Sequence, residues 1–172
     1  MRGGTSTAPP EVPIAIVKRW RAERRAFIGA LLVFLVLGAT GRLGVRTAFV
    51  TASGGGYELT VMYAAVTRPG LATPWGLEIR RPGGFDGPVF VATTASYFDL
   101  FDENGLDPDP ASATADEQNV IWEFEPPLGE VLSVSFDARL EPAVQSGAQG
   151  RTQVLEDDLP VVEATYRTVV MP

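Results

Sequence analysis

The 172-residue sequence predicts an all-β fold, an antiparallel β-sandwich preceded by one N-terminal transmembrane helix. Three observations predict this architecture. Apolar and polar residues alternate along many short segments after residue 46, breakers rich in Gly and Pro separate these segments, and a charge-free apolar run stands near the N-terminus. Because alternation with a period of two is typical of strands with one buried face, the body of the chain is expected to be a sheet protein.

The first element is the apolar run from Phe27 to Gly41, fifteen residues without a charge. The basic residues before it are Lys18, Arg19, Arg21, Arg24 and Arg25. A helix needs about 20 apolar residues to cross a bilayer core, so the expected signal anchor covers 26–45, with Arg42 near its outer end. Basic flanks stay on the cytoplasmic side. We therefore expect a basic cytoplasmic tail at 1–25 and an extracytoplasmic domain at 46–172, held at the plasma membrane by its bilayer-spanning helix.

A cleaved secretory signal is the alternative interpretation of the same segment. Its apolar region would be 27–37, and Ala39-Thr40-Gly41 has the small-x-small pattern of a cleavage site. The basic leader of 26 residues is long for a signal peptide, which favours the anchor. Residues 1–13 are rich in Gly, Pro and Thr and are expected to be disordered, whereas 14–26 could form a basic helix. Either export route places the body of the chain outside the cytoplasm.

Charge and composition exclude several classes of function. Residues 1–46 contain eight Lys/Arg and two acids, a net charge of +6, whereas 47–172 contain six Arg and nineteen acids, a net charge of −13. So acidic a domain argues against nucleic-acid binding. The chain has no Cys and no His, which excludes Ser-His-Asp and Cys-His nucleophiles and Cys/His zinc sites. Its one Lys, Lys18, stands on the expected inner side. An external Ser-Lys dyad is therefore also excluded, and carboxylate pairs and oxygen-ligand metals are the enzyme routes that remain. We expect a non-enzymatic protein without a cofactor.

About eight strands follow the apolar run. The clearest alternation is at 131–140, where Leu132, Val134 and Phe136 share one face and Ser133 and Ser135 the other. The turns between strands include Gly54-Gly55-Gly56 and Glu156-Asp157-Asp158. The expected strands are 45–52, 57–66, 75–81, 88–95, 119–125, 130–140, 151–155 and 161–170.

Many short strands with regular turns favour a two-sheet sandwich, and on length and strand count we expect an immunoglobulin-like topology. Trp75 on the third strand is its expected core aromatic. The stretch 96–118 is too long for a plain turn. It is expected to be a surface excursion, attached to the edge of the sandwich by the rings of Tyr97, Phe98 and Phe101.

The acidic excursion is the one candidate metal site. Its possible ligands are Asp99, Asp102, Asn104, Asp107 and Asp109. Carboxylate and amide oxygens are ligands that Ca²⁺ prefers. The helix-loop-helix calcium pattern fails, however, because placing Gly105 at its invariant glycine puts Leu100 at the first ligand and Ala111 at the bidentate acid. A non-standard calcium site therefore stands as an alternative to a solvated acidic loop.

A carboxylate-based hydrolase is the third function considered, using Glu123 with Glu125 or Asp137. Residues two apart on a strand point the same way and lie about 7 Å apart, within the general range of glycosidase carboxylates. Glu123 and Glu125 alternate with the apolar Trp122 and Phe124. Because any solvated strand face shows this pattern, it favours surface charge over catalysis.

The exterior segment resembles an uncharacterised family of actinobacterial single-pass membrane proteins with an extracytoplasmic all-β domain. The segments that carry the resemblance are SGGGYELTVM (53–62), PGLATPWGLEIR (69–80), PGGF (82–85), SYFDLF (96–101) and PPLG (126–129). It covers roughly 45–172 and implies no catalytic residue. The expected function is a membrane-anchored, non-enzymatic interaction module, accessory to a membrane or cell-envelope partner. An exported ligand- or calcium-binding domain is the alternative.

Overall fold

The computed structural model describes residues 14–39, 44–102 and 105–171. The chain divides into two compact units, Met1–Leu43 and Gly44–Pro172. The first contains one helix, and the second contains all the described strands. The disordered tail expected at 1–13 lies outside the described residues, as do Thr40 and Gly41 of the possible cleavage site.

Helix α1 (Ile14–Ala39) joins the basic segment and most of the apolar run in one element. Arg19 donates a hydrogen bond to Glu23 one turn later, at 2.8 Å, and both side chains are exposed. Such a pair stabilises a helix by a few tenths of a kcal/mol at most. Within the described parts of the chain, no helix combines the length and the apolar character that crossing a bilayer requires. The membrane span expected at 26–45, of which 40–43 lie outside the described residues, stays a prediction.

The second unit contains twelve described strands and one short helix. Eight of these strands span six residues or more, in agreement with the expected number. The elements are β1 (Arg46–Gly54), β2 (Tyr57–Thr67), β3 (Ala72–Arg80), β4 (Val89–Thr94), α2 (Ala95–Phe98), β5 (Phe101–Asp102), β6 (Leu106–Asp107), β7 (Ser112–Ala115), β8 (Asn119–Phe124), β9 (Val131–Leu140), β10 (Gln149–Glu156), β11 (Leu159–Arg167) and β12 (Val169–Val170).

The strands form two sheets, which confirms the all-β sandwich. The first has the order β1-β2-β3-β9-β5, with β12 added to β2 and β6 added to β9; the second has the order β11-β10-β4-β8-β7. All pairings are antiparallel except β12 with β2. The immunoglobulin-like topology is not confirmed. In that fold the third strand leaves the sheet of the first two, whereas β1, β2 and β3 are consecutive neighbours here.

Two tight hairpins define the register at one end of the sandwich. Gly55 and Gly56 connect β1 to β2 with φ of 56° and 82°, and Asp157 and Asp158 connect β10 to β11 with φ of 49° and 62°. Positive φ at both central residues is the geometry of the type I′ turn, whose twist matches that of the flanking strands. Glycine adopts it freely, and aspartate is among the few other residues that do so at modest cost.

The alternating patterns correctly predicted the core. Leu132, Val134, Phe136, Ala138 and Leu140 are all buried on the inner face of β9. Trp75 is 1% exposed on β3, as expected for the core aromatic. Burying such side chains stabilises the fold by roughly 1.5–3 kcal/mol each, which is the main force that joins the two sheets.

The segment from residue 96 to 118 differs from the expected surface excursion. It contains part of α2 and the strands β5, β6 and β7. β5 and β6 pair with β9 in the first sheet, and β7 pairs with β8 in the second. Tyr97 and Phe101 are buried and Phe98 is partly buried, which confirms that their rings attach the segment to the sandwich. The excursion therefore extends both sheets and bridges their edges.

Candidate functional site

An aromatic cluster fills the sandwich below this bridging segment. Phe98 lies at its centre, with ring centroids 5.0 Å from Trp75, 5.1 Å from Trp122 and 5.4 Å from Phe136. The contacts to the two tryptophans are edge-to-face, the arrangement that aromatic quadrupoles prefer and that contributes about 0.5–1.5 kcal/mol per pair beyond burial. Because Phe98 comes from α2 and the other three come from strands of both sheets, the cluster fixes the helix against both layers.

A cleft of about 300 Å³ opens above this cluster. Its lining residues are Phe98, Gly105, Leu106, Asp109, Pro110, Ala113, Val120, Trp122 and Phe136. Phe136 belongs to the first sheet and Trp122 to the second, so the cleft lies between the edges of the two sheets. Asp109 is exposed and supplies the one carboxylate among the described lining residues. The described residues therefore form an apolar, aromatic-walled cleft with one negative charge, that of Asp109.

Register explains how the chain positions the recess. Ala113 of β7 lies opposite Trp122 of β8, on the inner side, whereas its neighbour Thr114 lies opposite Ile121 and faces outward. Leu106 of β6 lies opposite Phe136 of β9. The two short strands therefore place small or aliphatic side chains around the aromatic residues. Because Ala113 has only a methyl group, the space beside Trp122 stays open.

A second constellation lies at the hairpin end of the sandwich. The Tyr57 hydroxyl donates to Glu156 at 2.8 Å, and the Arg81 guanidinium lies 5.1 Å from the centre of the Tyr57 ring. Arg81 also pairs with Asp86 at 3.0 Å. Burial, followed by the hydrogen bond to Glu156, raises the pKa of Tyr57. The adjoining cavity, about 430 Å³, is larger than the aromatic cleft. Arg81, the one cation among the described residues that line this cavity, already pairs with Asp86 and Glu156, so its charge is less available to a ligand.

A chain of hydroxyl groups crosses the core between the sheets. Trp75 Nε1 donates to the Tyr166 hydroxyl at 3.0 Å. The Tyr166 hydrogen is then free to bond Thr152, also at 3.0 Å, and Thr152 lies 3.2 Å from Thr93. All four residues are buried. Polar groups so deep in a core are tolerated only when hydrogen-bonded, so this chain fixes the alignment of β3 with β11, β10 and β4.

The buried tyrosines predict how stability depends on pH. Burial raises the pKa of Tyr166 to about 12 and raises the pKa of Tyr97 above its ordinary value. Since the folded chain holds these protons to higher pH than the unfolded chain, the stabilisation is complete below about pH 10 and is lost as pH rises towards 12.

We therefore expect the free energy of unfolding to fall above pH 10, by up to about 1.4 kcal/mol per pH unit for each tyrosine. Urea titrations of the full chain at a series of pH values measure it. The variant Tyr166→Phe is the control and should show a shallower decline. A free energy that stays constant up to pH 12 would contradict the expectation.

The candidate calcium ligands do not converge on one site among the described residues, although Asp99 and Asp102 line the same shallow cavity. Asp99 follows α2, Asp102 lies on β5 opposite Arg139, and Asp107 lies on β6 opposite Ser135. Asp109 lines the aromatic cleft, and Asn104 lies outside the described residues. In the described ranges, no group of three or more His, Cys, Asp or Glu residues could hold a metal ion.

The candidate catalytic carboxylates lie on surface strands. Glu123 of β8 accepts a hydrogen bond from Ser112 at 2.8 Å, and Glu125 is exposed just after the strand. Asp137 is exposed on β9, in the other sheet. Asp137 and Glu123 therefore have the sandwich core between them and do not form a pair around one substrate.

Comparison with known proteins adds no assignment. No protein-family model matches the chain, and no curated protein sequence matches it. The resemblance to actinobacterial single-pass membrane proteins therefore stays a prediction. The aromatic cleft itself was not predicted from the sequence, which indicated Trp122 and Phe136 only as inward-facing core residues.

Proposed function

We propose that the chain is a non-enzymatic interaction module, displayed outside the cytoplasm and accessory to a membrane or cell-envelope protein. The observation that carries the proposal is the aromatic cleft between the sheet edges. Specific interfaces concentrate binding energy in apolar anchors seated in desolvated pockets, and the cleft has the aromatic walls and the open mouth that such a pocket needs.

The volume of the cleft favours a protein partner over a free small molecule. Small-molecule sites enclose about 300–1,000 Å³, and this recess of about 300 Å³ stands at the lower limit of that range. It suits one aromatic or branched aliphatic side chain. The carboxylate of Asp109 at the same site favours a positive charge on the partner, beside the side chain that enters the cleft. The partner is therefore expected to present an apolar residue next to Arg or Lys.

Charge supports the same choice of partner. Residues 47–172 have a net charge of −13, which favours a basic protein surface and opposes nucleic acid. A small apolar ligand with a cationic group is the second candidate, because the aromatic faces of Trp122 and Phe98 could attract it by cation–π contact. A change in the fluorescence of Trp75 and Trp122 in a Trp20→Phe background would detect such a ligand.

The proposed location at the membrane depends on the N-terminal segment. Residues 26–45 carry the bilayer anchor in this proposal, with 1–25 in the cytoplasm, 46–172 outside and the plasma membrane as the location. The support is the basic cluster that precedes fifteen uncharged residues. The cleaved signal is the alternative, and it leaves the exported domain unchanged.

Single-cysteine labelling tests this topology, since the chain contains no Cys. Ser135→Cys lies on an exposed strand position and should react with a membrane-impermeant maleimide in intact cells. Ser6→Cys, in the expected cytoplasmic tail, should react only after the membrane is permeabilised. Labelling in the reverse order would overturn the proposed orientation, and a mature protein without residue 6 would identify a cleaved signal.

A further inference from the structure

The free edge of β1 differs from the other described sheet edges. β5 and β6 span two residues each and β7 four, and β11 carries Pro160, Glu163 and Arg167. β1 spans nine residues, and from Thr47 to Gly54 it contains neither a charge nor a proline. Natural sheets protect their edges with such short strands, charges and prolines. β1 is long and has no proline, and its one charge, Arg46, stands at its first residue, beside a register shift.

The hairpin geometry determines which backbone groups of β1 are free. Gly54 and Tyr57 flank a two-residue turn and form a hydrogen-bonded pair, so Ala52, Val50 and Ala48 also point their N–H and C=O groups towards β2. The N–H and C=O groups of Thr47, Phe49, Thr51 and Ser53 therefore point to the free edge. Beyond the β1–β2 ladder, no described residue forms a backbone hydrogen bond with them.

Two of the four residue pairs that mirror each other about Val50 match in type. In RTAFVTASG, Ala48 mirrors Ala52 and Thr47 mirrors Ser53, whereas Phe49 mirrors Thr51 and Arg46 mirrors Gly54. We propose that β1 pairs antiparallel with β1 of a second copy of this chain, about a two-fold axis at Val50. The residues of the mirrored pairs Thr47–Ser53 and Phe49–Thr51 point their backbone N–H and C=O groups to the free edge. These pairs therefore become the hydrogen-bonded pairs between the two β1 strands. Val50 then faces Val50 of the second copy in a non-hydrogen-bonded pair.

The side chains also suit this pairing. Phe49 is 68% exposed on the outer face of the first sheet. Across the axis it lies opposite Thr51 and diagonal to the second Phe49, within reach of an aromatic contact. Arg46 lies opposite Gly54, so the paired strands bring no like charges together. A neutral ladder matters here, because two domains that each have a net charge of −13 repel one another. Closed two-fold pairing is also the commonest symmetry of homo-oligomers.

Cysteine cross-linking in native membranes tests the register. In the paired state the two Val50 Cα atoms are about 4.5 Å apart, within the range of a disulfide. Ala48, on the same face of the same strand, would be about 13 Å from its counterpart. Val50→Cys should therefore give a disulfide-linked dimer of the full chain under mild oxidation, whereas Ala48→Cys should stay uncross-linked. Equal cross-linking of both variants, or none of Val50→Cys, would overturn the proposal.

A charge placed on the edge gives an independent test. The full chain in mild detergent should have twice the 18.4 kDa mass of one copy by light scattering, and Thr51→Lys should lower the dimer fraction at least tenfold. Thr114→Lys on the edge strand β7 is the control and should stay dimeric. A monomeric wild-type chain would contradict the proposal, even if its β1 edge binds a strand of another protein. A dimer that survives Thr51→Lys would contradict it as well. The aromatic cleft is not involved in this pairing, so such a failure leaves the proposed function untouched.

Discussion

Replacing Trp75 by Ala is expected to cost about 3–5 kcal/mol of the free energy of unfolding. The ring is almost fully buried and contacts Phe98 and Trp122. Its removal leaves a cavity between the sheets and deprives the Tyr166 hydroxyl of its donor. Because single domains are stable by about 5–15 kcal/mol, this one change should remove a large part of the total. Trp75→Phe keeps a ring but loses the hydrogen bond, so roughly half the loss is expected.

Urea unfolding of the full chain in mild detergent, followed by far-ultraviolet circular dichroism, measures the effect. Trp20→Ala is the control, because Trp20 is 67% exposed on α1 and its removal should change the free energy by less than about 0.5 kcal/mol. If Trp75→Ala lowers the free energy of unfolding no more than Trp20→Ala does, the core described above does not hold the two sheets together.

Gly150→Ala is also expected to be strongly destabilising. Gly150 of β10 lies opposite Tyr166 of β11, and a methyl group on its Cα would overlap the Tyr166 ring. The ring cannot move without losing its bonds to Trp75 and Thr152. Overpacking costs about 1–3 kcal/mol, and each lost hydrogen bond adds about 1 kcal/mol. We therefore expect a loss of about 3 kcal/mol or more.

The matched control is Gly129→Ala in the turn before β9. An added methyl group at Gly129 would meet no atom within 4 Å, and its φ lies outside the left-handed region. This variant should be neutral or slightly stabilising, since alanine lowers the conformational entropy of the unfolded chain relative to glycine. A Gly150→Ala protein as stable as Gly129→Ala would mean that the Tyr166 ring has room to move.

The sequence predicted the long strands because their inner faces repeat every second residue. At Leu132 to Leu140 the alternation is complete, and burial follows it residue by residue. The turn at Gly54-Gly55-Gly56 was equally clear, because few residues other than glycine adopt two consecutive positive φ angles. Local chemistry therefore determined the element positions and the inner faces.

The candidate site depends on pairings that no local pattern reveals. β5 and β6 are two residues long, too short to show any period, and they form only because β9 offers them a partner. The cleft exists because Ala113 and Leu106, which are distant in sequence from Phe136, are brought beside it and Trp122. Strand order is non-local for the same reason, which explains why the count of long strands was right and the immunoglobulin-like order was not confirmed.

Photo-cross-linking from the cleft, in native membranes, tests the proposed function most directly. A benzophenone amino acid at Ala111, an exposed residue beside Pro110 of the cleft, should form an adduct with one membrane or envelope protein, and the same group at Ser133 on the outer face of the first sheet should form none. The adduct should disappear when Ala113→Trp fills the cleft and persist with the outward-facing Thr114→Trp. No adduct at Ala111, or one that Ala113→Trp leaves unchanged, would contradict a partner docked in the aromatic cleft.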